Sequence, residues 1–176
     1  MKASLSPSIV FFEDGAWDMA TAFSGMRRTL DILGQCGIVA DKLNVYVVRA
    51  PTRLTDFSDS LARELVPRLN ISRPAVYFVR DSLQPRKLEY EVIANANSKS
   101  RPELRDTLWI LAGARDLGEG TARTLMYMLM DRYEINKVAG SLFYSDQTNL
   151  DNSRIDEDQC SLALRTGQSN GLLKAN

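Results

Sequence analysis

The chain has 176 residues, 44% of them hydrophobic and 25% charged, which suits one soluble globular domain built on a single core. Lysine plus arginine and aspartate plus glutamate both number 22, so the formal net charge is +0 and a nucleic-acid partner, which calls for a basic excess or stripe, is not expected. Histidine is absent, which removes Ser-His-Asp and Cys-His nucleophile systems, imidazole zinc ligands and the side chain best suited to proton transfer near neutral pH.

No apolar run reaches the roughly 18 residues of a membrane span, and the opening MKASLSPSIVFFEDG has too short an apolar stretch for a signal peptide, so no membrane partner is expected. Residues 9–12, IVFF, form a short buried strand closed by the turn signal EDG. A helix from Ala16 to about Gly34 follows, with Trp17, Ala20, Phe23, Leu30 and Leu33 at helical spacing. GQCG closes it, because glycine takes the left-handed cap conformation at low cost. Residues 38–50, IVADKLNVYVVRA, read as one strand in which Leu43, Val45 and Val47 alternate with Tyr46 and Val48, ended by Pro51. SDSLARELVPRL is a second helix with Leu61, Leu65 and Leu69 on one stripe, shortened by Pro67.

PAVYFVRD and TLWILA read as strands, and EYEVIANAN between them as an edge strand or irregular hairpin. GARDLGEG then leads into TARTLMYMLMD, an amphipathic helix that starts near Glu119. A loop-rich segment, 132–153, precedes a short last helix capped by Asp156, with acids in its first turn where the macrodipole favours them. The tail from about residue 167 is expected to be mobile. The whole is a single α/β (α+β) domain, 1–176, with a mixed twisted sheet of about five strands packed with helices.

Cys36 and Cys160 lack a C-x-x-C spacing, which argues against a thiolate metal site. Two readings stand: idle thiols in a cytoplasmic protein, the default compartment, or one disulfide in an extracytoplasmic one. A loop of that length adds about 3–5 kcal/mol in the chain-entropy model.

The order of strands and helices, with the segments QCGI, VYFVRD and DEDQCSLAL, resembles the zinc metallopeptidases of the metzincin type. Such enzymes carry His-Glu-x-x-His on a helix: two histidines four apart grip zinc, and the glutamate between them activates a bound water. In the preferred register ARTLMY aligns with that block, which places Arg123 and Tyr127 at the ligand positions and Thr124 at the base. A second register uses ARDLGE and places Arg115 and Glu119 as ligands and Asp116 as base. Downstream, GSLFYS is similar to the turn that carries a methionine beneath the metal, with Phe143 at that position, and Glu134 or Asn136 would have to supply a third ligand.

Neither register suits zinc. The Arg123 guanidinium stays protonated and offers only donors, Thr124 has no carboxylate, and the second register has Arg115 where a ligand is needed. No cofactor and no metal are therefore expected. As ordinary helix residues, Glu119 and Arg123 form an i,i+4 ion pair, Tyr127 covers Arg123 or reaches Asp131, and Leu125, Met126, Leu129 and Met130 fill the core. The acids of EDG and DNSRIDED lack calcium-loop spacing, and GARDLGEG lacks the Lys-Ser/Thr of a phosphate loop.

Three functional readings follow. The first is a catalytically inactive metallopeptidase homologue that binds a peptide or protein partner. The second is a hydrolase using Asp116, Glu119 and Glu134 with a hard cation, which requires those acids to converge. The third is an unrelated α/β module, which requires a different strand order.

Overall fold

The structure, a computed structural model, describes residues 2–49, 59–82, 88–94, 102–146 and 151–176, with the side chains of 59–63 excepted. Pro51 as strand terminator, the start of the second helix at Ser58, Leu61 of its stripe and the end of EYEVIANAN lie outside the residues so described. Strands are β1 (Ala3–Leu5), β2 (Ser8–Phe12), β3 (Ile38–Ala40), β4 (Asn44–Val48), β5 (Ala75–Val79), β6 (Tyr90–Ile93), β7 (Thr107–Leu111) and β8 (Lys174–Ala175). Helices are α1 (Met19–Leu33), α2 (Asp59–Leu69), α3 (Leu117–Met130) and α4 (Glu157–Ser169).

The main sheet has five strands in the order β4-β2-β5-β7-β6, parallel throughout except for β6, which runs antiparallel to β7. Strands β2 and β5 are buried at every position because helices cover both faces, which is why IVFF and AVYFV read as unbroken apolar runs. Ile9, Phe11, Val76, Phe78, Leu108 and Ile110 face α1 and α3. Val10, Phe12, Tyr77 and Trp109 face α2, through Leu65, Val66 and Leu69. Tyr77 stacks on Trp109 with ring centroids 4.1 Å apart, and burial pushes its phenol pKa up.

The predicted strand over 38–50 divides in two. Ile38–Ala40 pairs with β1 in a small second sheet, β3-β1-β8, while Asn44–Val48 pairs with β2 in the main one. The step falls where the Asp41 amide bonds the Leu5 carbonyl, so a single apolar alternation serves two sheets. Val45 and Val47 lie on the rim of the α1–α3 face, Val47 being 58% exposed, and Tyr46 and Val48 pack toward α2.

Helix α1 begins later than expected, at Met19, because Asp18 caps it: its carboxylate accepts from the Thr21 amide at 3.3 Å and the Thr21 hydroxyl at 2.7 Å. The residue before it, Trp17, donates from its indole to the Val79 carbonyl at 2.9 Å and meets Phe78 edge-on. The buried stripe of α1 is Ala22, Met26, Thr29 and Ile32–Leu33, rotated from the predicted one and opened by Gly25. Pro67 does not shorten α2, which continues to Leu69. Helix α3 begins at Leu117, two residues before Glu119.

The crossing of α1 and α3 depends on glycine. A Cβ on Gly25 would overlap the Leu117 side chain, and one on Gly118 would sit 2.7 Å from the Arg28 Cβ. The close approach lets the buried Thr29 hydroxyl donate to the Gly118 carbonyl at 2.9 Å. Gly118→Ala is therefore expected to destabilise the protein by about 1–3 kcal/mol despite its better helix propensity, which urea denaturation measures.

Nor does the chain leave the fold at residue 167. Helix α4 runs to Ser169, the Leu172 and Leu173 amides both donate to the Gly167 carbonyl at 2.9 Å, and both leucines are buried. Lys174–Ala175 then pairs antiparallel with β1. The apolar pair in GLLKAN, set behind the turn at Gly171 (φ 80°), marks the chain returning to the core. At the other end of α4, Asp156 and Gln159 form the reciprocal cap: Gln159 N–H to Asp156 at 2.8 Å and Asp156 N–H to Gln159 at 3.0 Å.

Candidate functional site

Helix α3 presents Arg123, Thr124 and Tyr127 on one face, since residues three and four apart share a side of the helix. Asp131 ends the helix in a left-handed conformation (φ 54°), so the chain reverses and brings Tyr133 and Ile135 back beside Tyr127. A compact turn at 141–144 closes the floor. The Tyr144 amide bonds the Ser141 carbonyl at 3.1 Å, and the Asn136 amide bonds the Phe143 carbonyl at 2.8 Å. The Ser141 hydroxyl receives the Asn136 carboxamide at 2.9 Å and the Phe143 amide at 3.2 Å.

The result is a hollow of about 220 Å³. Arg123, Thr124 and Tyr127 line one wall, Tyr133 and Ile135 another, Phe143, Tyr144 and Ser145 the floor, and Tyr90 reaches in from β6. The Tyr127 ring lies 5.0 Å from that of Tyr133 and 5.8 Å from that of Phe143, rather than over Asp131. Arg123 donates from Nε to the Leu142 carbonyl at 2.8 Å, which ties the helix to the floor turn. Thr124 turns its hydroxyl back to the Gly120 and Thr121 carbonyls. Leu125, Met126, Leu129 and Met130 are buried on the opposite side, as core.

Burial pushes the phenols of Tyr127 and Tyr90 well up, in Tyr127 against the opposing charge of Arg123. Both therefore remain O–H donors; that of Tyr90 is engaged by the Arg115 carbonyl at 2.6 Å.

The residues of the second register are held elsewhere. Arg115 pairs with Glu89 at 3.0 Å. Glu119 pairs with Arg28 of α1 at 3.2 Å, not with Arg123 as its spacing predicts, because the α1–α3 crossing places Arg28 against that side of the helix. Asp116 precedes α3 with φ 50°, and its side chain makes no capping bond. Burial, then the neighbouring Glu119, raises the Asp116 pKa, and among the described residues its buried Oδ1 has no hydrogen-bond partner.

A carboxyl whose pKa is raised on folding stabilises the native state below its ordinary value of 3.8 and loses that contribution as the pH rises through its folded value. Asp116→Asn should therefore raise Tm at pH 7, by about 1–2 °C because solvent screens the group, with the gain vanishing below the ordinary carboxylate range. Thermal melts across pH check this.

The three acids of the hydrolase reading do not converge. Glu119 is on Arg28, Glu134 pairs with Arg132 at 2.6 Å, and Asp116 stands at the helix start. Among the described residues no three His, Cys, Asp or Glu side chains are placed to hold a metal ion. The acid-rich loops serve the fold instead: Glu13 pairs with Arg49 at 2.9 Å, and Asn152 accepts the Gly140 amide at 2.9 Å. Asn136 likewise is part of the floor turn rather than a ligand.

Cys36 and Cys160 are bridged, Cα atoms 4.9 Å apart, joining the short 3-10 turn after α1 to the first turn of α4. Gln35, which the sequence did not single out, braces the same junction: it donates to the Ser153 carbonyl at 2.8 Å and accepts the Ile155 amide at 3.2 Å. Tyr90, Tyr133, Ile135 and Tyr144 were also missed. The one hint is YEI just past a helix end, an aromatic and a β-branched residue left exposed where polar loop residues are usual; Tyr133 is 67% exposed.

No family model and no curated protein sequence matches the chain. Solved structures do. A metalloproteinase-II from Bacteroides fragilis superposes with a TM-score of 0.61 at 11% identity, over 93% of this chain and 53% of that one. The fold is metallopeptidase-like. An archaemetzincin from Methanopyrus kandleri gives 0.56 at 10% identity, over 93% of this chain and 96% of its own. The chain thus spans about half of the Bacteroides protein and nearly all of the archaeal one. At 10–11% identity the likeness is one of fold.

Proposed function

We propose that this protein is a metallopeptidase-like domain that binds a peptide or protein segment without cleaving it. The supporting observation is the company around one hollow: Arg123, Thr124, Tyr127 and Phe143, the residues of the preferred register, stand together there. Their chemistry does not fit zinc. A guanidinium is a permanent cation with no lone pair to give, a threonine cannot take a proton from water, and the chain contains no imidazole.

Binding is the reading that uses what is present. Aromatic side chains and arginine are favoured at interfaces because they bury much surface while keeping a polar handle. Among the described residues β6 ends the main sheet, and its Tyr90 lines the hollow, so a peptide added alongside β6 would pass over it. The Cys36–Cys160 bridge fits an oxidising compartment for that encounter.

The test combines elemental analysis with peptidase assays on purified protein. The expected results are zinc far below one equivalent and no cleavage of unfolded casein or a random-peptide pool. About one equivalent of zinc, lost together with cleavage on chelation, ends the proposal.

A further inference from the structure

We infer that the group seated in the Arg123 hollow is a peptide carboxylate flanked by an apolar side chain. The inference rests on the binding reading above and adds the chemistry of the ligand. Among the described residues that line the hollow none is acidic, and the one charged residue is Arg123. Its charge is permanent whichever acceptors its several N–H groups use, and the bond from Nε to the Leu142 carbonyl holds the side chain against the floor. A permanent cation beside an aromatic wall favours a carboxylate over the neutral amide of the same group.

The surroundings agree. Tyr127 stays a phenol rather than a phenolate, and among the described residues no acceptor engages its O–H, which leaves a second donor at the wall. The acids nearest the hollow are neutralised locally: Glu89 by Arg115, Glu119 by Arg28 and Glu134 by Arg132. Phe143, Tyr133 and Ile135 offer apolar contact beside these donors. At about 220 Å³ the space is below the usual range for a drug-sized ligand, so it takes one residue of a longer chain rather than a whole small molecule.

The experiment uses the full chain with its disulfide intact and isotope labels on nitrogen. N-acetyl-phenylalanine, its amide, and acetyl-Glu-Phe-amide are titrated while the Arg123 Nε–H and the amides of residues 142–145 are followed by NMR. The carboxylate should bind about tenfold more tightly than the amide. Arg123→Gln should erase that preference and Arg123→Lys should keep part of it; the pair separates loss of charge from loss of the Leu142 anchor. Tighter binding of the terminal acid assigns a peptide C terminus, and equal binding of the Glu side chain assigns acidic residues; either supports the inference. Equal binding of acid and amide overturns it while peptide binding stands. If none of these probes and no random-decapeptide pool binds, the binding proposal falls with it.

Discussion

Reduction of the Cys36–Cys160 bridge should lower Tm by about 6–20 °C, the largest single change expected for this protein. The bridge closes a sequence separation of 124, and cross-linking so long a loop restricts the unfolded chain enough to contribute about 3–5 kcal/mol. For a domain of this size each kcal/mol moves Tm by about 2–4 °C. The reduced protein should nevertheless stay folded at room temperature, because Gln35 still holds the 153–155 backbone and α4 keeps its own cap. Calorimetry with and without reductant, alongside mass spectrometry of alkylated protein, makes the measurement. Thiols that label fully in protein prepared without reductant, with an unchanged melt, would show that the cysteines are idle.

Truncation of the hollow's floor should be comparably costly. Phe143 is 1% exposed, in ring contact with Tyr127, and its carbonyl receives the Asn136 amide. Phe143→Ala removes the ring from a turn pinned on both sides, by Arg123 to Leu142 and by Arg154 through the Leu142 amide at 2.9 Å. A site so braced collapses little, and the expected loss is about 3–5 kcal/mol in urea denaturation. Phe143→Met keeps most of the volume and should cost less than about 1.5 kcal/mol. A loss under about 1 kcal/mol for Phe143→Ala would mean that the floor is not packed as described.

Much of the molecule was legible from the residues themselves. The buried runs IVFF, AVYFV and TLWIL are strands, helices do lie before Gly34 and after Glu119, and Asp156 does cap the last helix. These are local properties: turn chemistry, capping and apolar period act within a few residues, so a short window contains their cause. The complete lack of histidine is of the same kind, since no fold can supply a ligand atom that the chain does not carry.

Other features depend on partners far away in sequence. Nothing in IVADKLNVYVV says that its halves join different sheets; the Leu5 carbonyl decides it. Glu119 chose Arg28 over Arg123 because two glycines let α1 and α3 approach closely. Which of the tyrosines meet around Arg123, and whether two cysteines separated by 124 positions come within bonding reach, likewise follow from how helices cross and strands order. The sequence alone determined the helices, the central strands and the exclusion of imidazole chemistry, because these are written residue by residue. Only the tertiary structure decided the hollow, the bridge and the docked C-terminal strand, because each is a meeting of segments whose separation along the chain carries no information about their distance in space.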